Sequence, residues 1–88
     1  MAISFQLAER IVTEALTRFS AVPYPPRHYD SLEQLGLNER NAPQLVSLLQ
    51  NLIYSAGYDP PPDLYDSVKP RSTVHDVIIA VTDSTGPR

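Results

Sequence analysis

The chain contains no cysteine, few cations and no long apolar run. Without cysteine there is no disulfide, no thiolate nucleophile and no Cys-based zinc site. The longest apolar run near either end, Val77 to Val81, is far short of the ~20 residues that cross a bilayer as a helix. The N-terminus shows no basic segment ahead of an apolar one and no small-residue cleavage site, so no secretion signal is read and a cytoplasmic protein is expected. Lysine and arginine number seven against a net charge of −3, and they are scattered from Arg10 to Arg88 without forming a stripe. A nucleic-acid binder needs clustered cations to displace counterions from phosphates, so nucleic acid is not an expected partner.

Catalytic and metal-binding constellations are also missing from the sequence. His28 and His75 are the two histidines, and neither has a second ligand at metal spacing, so both read as solvated surface residues and no metal is expected. No serine is placed by sequence beside a histidine and an acid, so independent catalysis is not expected. The chain is long enough for one domain, spanning 1–88, with an ordered core over 4–81 and a polar, frayed tail over 82–88.

What is present is helical periodicity interrupted by proline. Ala8, Ile11, Val12, Ala15, Leu16 and Phe19 fall on one face of a helix running from about Ser4, its N-cap, to Ser20. Pro23, Pro25 and Pro26 end it and open a long loop. Asp30 to Leu37 reads as one helical turn closed by Gly36, with Leu32, Leu35 and Leu37 anchoring it. Leu45, Leu48, Leu49, Leu52, Ile53 and Ala56 then mark the strongest helix, ended by Gly57. Beyond Pro60, Pro61 and Pro62, the stretch from Asp63 to Val68 predicts a short helix. Thr73 and Asp76 cap a last one bearing Val74, Val77, Ile78 and Val81. The tyrosines at 24, 29, 54, 58 and 65 cluster near prolines and helix ends, where they cap a small core or offer a contact surface.

The expected fold is all-α: three main helices, one short helix before the last, and a long first loop. This order resembles the acyl carrier protein family. Leu32-Glu33-Gln34-Leu35-Gly36-Leu37 is similar to the family's approach to its active serine. Leu45-Val46-x-Leu48-Leu49 with Ile53 resembles the apolar side of its second helix. Ser72-Thr73-Val74-x-Asp76-Val77-Ile78 resembles the start of its last helix. The resemblance covers about Ser4 to Val81, with extra residues near Pro60 to Ser67.

The departure falls on the residue that matters most. The family places Asp-Ser-Leu after the Leu-Gly-hydrophobic turn, and its serine carries phosphopantetheine; here Asn38-Glu39-Arg40 follows Leu37. A carboxylate at Glu39 cannot form the phosphodiester that a hydroxyl at a helix N-terminus would form. Pro43 further predicts a helix start at Asn41, with Gln44 in the capping-box position and the turn that would bear the serine lost. Asp30-Ser31-Leu32 spells the attachment tripeptide elsewhere, so Ser31 is the alternative attachment site, although an N-cap of a short turn accounts for it. Between Arg40 and Asp59 there is no charged residue, whereas the family's second helix is acidic and docks on basic partners. The resemblance therefore implies a module without a cofactor. It would bind a protein partner through Asn38, Glu39, Arg40, Gln44 and Ser47, in fatty acid, polyketide or peptide biosynthesis. The alternative is a carrier of acyl or aminoacyl groups on Ser31, and a helical bundle unrelated to carriers is the fallback.

Overall fold

The computed structural model describes residues 3–19, 26–61, 64–84 and 86–87. Ser4 starts the first helix: its hydroxyl oxygen accepts the Leu7 N–H at 3.2 Å, satisfying one donor that has no partner within the helix. Helix α1 spans Phe5–Phe19 and buries Ala8, Ile11, Val12, Ala15 and Leu16. Pro23, Tyr24 and Pro25 lie outside the described residues, as do Pro62 and Asp63.

The single turn after Tyr29 forms as its residues dictate. Ser31 and Gln34 make a reciprocal capping box, with Ser31 Oγ accepting the Gln34 N–H at 3.2 Å and Gln34 Oε1 accepting the Ser31 N–H at 2.9 Å. Gly36, at φ +99°, ends the turn. Its N–H reaches the Glu33 carbonyl at 3.0 Å and the Leu37 N–H reaches the Leu32 carbonyl at 2.9 Å. That pair of bonds is a Schellman closure, and it needs the left-handed backbone that glycine adopts without a Cβ penalty. Leu32, Leu35 and Leu37 are all buried.

Helix α2, Ala42–Ser55, buries Ala42, Leu45, Val46, Leu49 and Ile53. It ends at Ala56 with Gly57 following at φ +96°. A two-residue strand β1, Tyr58–Asp59, follows, then a short helix α3, Leu64–Ser67, which stops one residue before the expected end at Val68. Helix α4 spans Val74–Ser84 and so runs three residues past Val81. The residues predicted as a frayed tail from Thr82 are helical as far as Ser84. Beyond it Gly86–Pro87 forms β2 and pairs antiparallel with β1, Tyr58 opposite Pro87 and Asp59 opposite Gly86. The rest of the described chain is helix, turn and loop, an all-α plan carrying one minimal ladder.

The loop ahead of α2 is stitched to the start of α4 by main-chain bonds. Leu32 N–H reaches the Ser72 carbonyl at 2.8 Å and Glu33 N–H reaches the Pro70 carbonyl at 3.0 Å. In return, Val74 N–H reaches the Asp30 carbonyl at 3.0 Å and His75 N–H the His28 carbonyl at 2.9 Å. The Asp76 N–H goes to Thr73 Oγ1 at 3.1 Å, while the Asp76 carboxylate accepts the Thr73 N–H at 3.0 Å. The three leading N–H groups of α4 are thus satisfied without water or ligand. Helix α1 packs on both α2 and α4, and α3 bridges α2 and α4. Val12, Leu16, Leu32, Leu45, Leu49, Ile53, Leu64 and Ile78 fill the shared core.

Candidate functional site

Asn38, Glu39 and Arg40 lie at the approach to α2, and Gln44 and Ser47 lie within the helix's first turns. Asn38 governs the approach. Its Oδ1 accepts the N–H of Arg40 at 2.8 Å and of Asn41 at 3.1 Å, and its carbonyl accepts the Ala42 N–H at 3.0 Å. Asn38 therefore caps a turn over residues 39–41 that leads into the regular helix. Glu39 stands first in that turn, exposed, with Arg40 exposed beside it.

Two expectations need correction here. The regular helix does start at Ala42 with Asn41 in the N-cap place and Pro43 in its first turn. The turn bearing Glu39 is nevertheless kept, because Asn38 holds it and does not need Pro43 to donate. Asn41 also does not cap forward as a capping box with Gln44 would require; no side-chain cap bond forms. Its side chain turns back, Oδ1 accepting the Asn38 N–H at 2.7 Å and Nδ2 donating to the Gly36 carbonyl at 2.9 Å. Half-buried between the turn at Gly36 and the helix, Asn41 joins the two. Gln44, one turn on, is exposed, and its N–H reaches the Asn41 carbonyl at 3.0 Å. Ser47 is exposed on the same side of the helix.

Glu39 borders an open cleft of about 750 Å³ lined also by Glu33, Lys69, Pro70, Arg71, Ser72 and Asp76. Both signs of charge face it. Asp76 is committed to the Thr73 N–H, and Lys69 Nζ lies 4.8 Å from the Tyr65 ring centroid, a cation–π distance. Four backbone donors around the turn, the N–H groups of Arg40, Asn41, Ala42 and Gln44, have acceptors within the chain, which leaves the N–H of Glu39. Phosphate binding at a helix start depends on such donors being available. Ser31 lies apart from this turn, half-buried, its hydroxyl oxygen occupied as a cap and its backbone bridged to Thr73.

The histidines, expected as solvated surface residues, are half-buried and lie close to one another. His28 Nε2 lies 2.8 Å from Glu9 Oε2. The His28 and His75 rings are 5.8 Å apart by centroid, with Phe5 6.3 Å and 6.2 Å from them. Three segments distant in sequence supply this cluster, so no local spacing signals it. Among the described residues no group of three or more His, Cys, Asp or Glu is placed to hold a metal ion. No helix among the described residues is long and apolar enough to cross a membrane. Of the tyrosines, Tyr29, Tyr54 and Tyr65 are exposed, whereas Tyr58 packs on the core and Tyr24 is outside the described residues.

No family model, no curated protein and no solved structure matches this chain. Among the described residues the fold is that of a small helical domain with four helices.

Proposed function

We propose that this chain is a carrier-fold domain without a carrier arm, acting in the cytoplasm as a non-catalytic accessory module that docks a protein partner, a biosynthetic enzyme, at the approach to α2. The observation that carries the reading is Glu39. It holds the first place of the Asn38-capped turn ahead of α2, where the resemblance calls for a serine hydroxyl. The helix order of long, long, short and medium, with a long loop before α2, supports the same reading. So do the backbone bonds around the turn, which take up the N–H groups of Arg40, Asn41, Ala42 and Gln44 and leave the phosphate of a tethered group few donors. Asn38, Glu39, Arg40, Gln44 and Ser47 then form the docking surface.

The test is incubation with coenzyme A and a broad-specificity phosphopantetheinyl transferase, followed by intact mass. An unchanged mass is the expected result. Glu39→Ser alone is expected to stay unmodified as well, because Asn38 already consumes the N–H groups of Arg40 and Asn41. A phosphopantetheine adduct on the native chain would overturn the reading. Its mapping to Ser31 would establish instead a working carrier of acyl or aminoacyl groups, the role that Asp30-Ser31-Leu32 at the cap of a helical turn favours.

A further inference from the structure

We draw no further inference here: the strongest candidate, the half-buried side-chain cluster of Glu9, His28 and His75 beside Phe5 where α1, the loop and α4 meet, carries none because it is not placed to hold a metal ion and nothing in the structure shows what ligand or partner it takes.

Discussion

Asn41→Ser distinguishes two accounts of how α2 begins. If Asn41 capped forward, serine would replace it at little cost, since serine is as good an N-cap as asparagine. The geometry says otherwise. Asn41 clips backward with two bonds, to the Asn38 N–H at 2.7 Å and to the Gly36 carbonyl at 2.9 Å. The second lies five residues back and needs an amide donor at the reach of asparagine. Serine cannot span that distance. Each intramolecular hydrogen bond contributes about 1 kcal/mol net. Both groups border solvent, so water takes over part of the loss. Asn41→Ser should therefore cost about 1–2 kcal/mol, close to the cost of Asn41→Ala. Urea unfolding followed by circular dichroism reads this as a midpoint lowered by roughly 0.5–2 M at unchanged slope, with a slope of about 1–2 kcal/mol per molar for a chain of this size. A serine variant as stable as wild type, beside an alanine variant that is not, would refute the backward clip and restore the forward cap.

Two further stability tests follow from the same geometry. Gly36→Ala should destabilise by about 1–2 kcal/mol from backbone strain alone, because a Cβ there meets nothing within 4 Å; equal denaturation midpoints for the two chains would show that the Schellman closure does not need the left-handed residue. Ile53→Ala, at a side chain with no solvent exposure, should lower stability by about 2–5 kcal/mol in the same urea assay, and a loss below about 1 kcal/mol would mean that the core collapses around the missing atoms.

Periodicity and punctuation were enough to read the helices. Leucines and valines repeating at 3.6 residues per turn have one way to be buried together, so both helices were announced and so was the inward face of Val74 to Val81. On α2 Leu45, Leu49 and Ile53 are buried as read, while Leu48 and Leu52 are half-buried, Ala56 is exposed and Val46 is buried in their place. Gly36 announced the end of its turn by the same local logic, and Ser4 and Thr73 announced their caps, since a cap bonds within one turn of chain. What the sequence could not determine is where side chains with several equivalent local partners would turn. Asn41 could bond forward or back, and only the position of the Gly36 carbonyl, set by the packing of Leu32, Leu35 and Leu37, made the backward bond available. The meeting of Glu9, His28 and His75 was decided the same way. Those residues come from α1, the loop and α4, and main-chain bonds between the loop and α4, with α4 packed on α1, bring them within reach. Local rules act over about one helical turn. Contacts across tens of residues exist only after the core has formed.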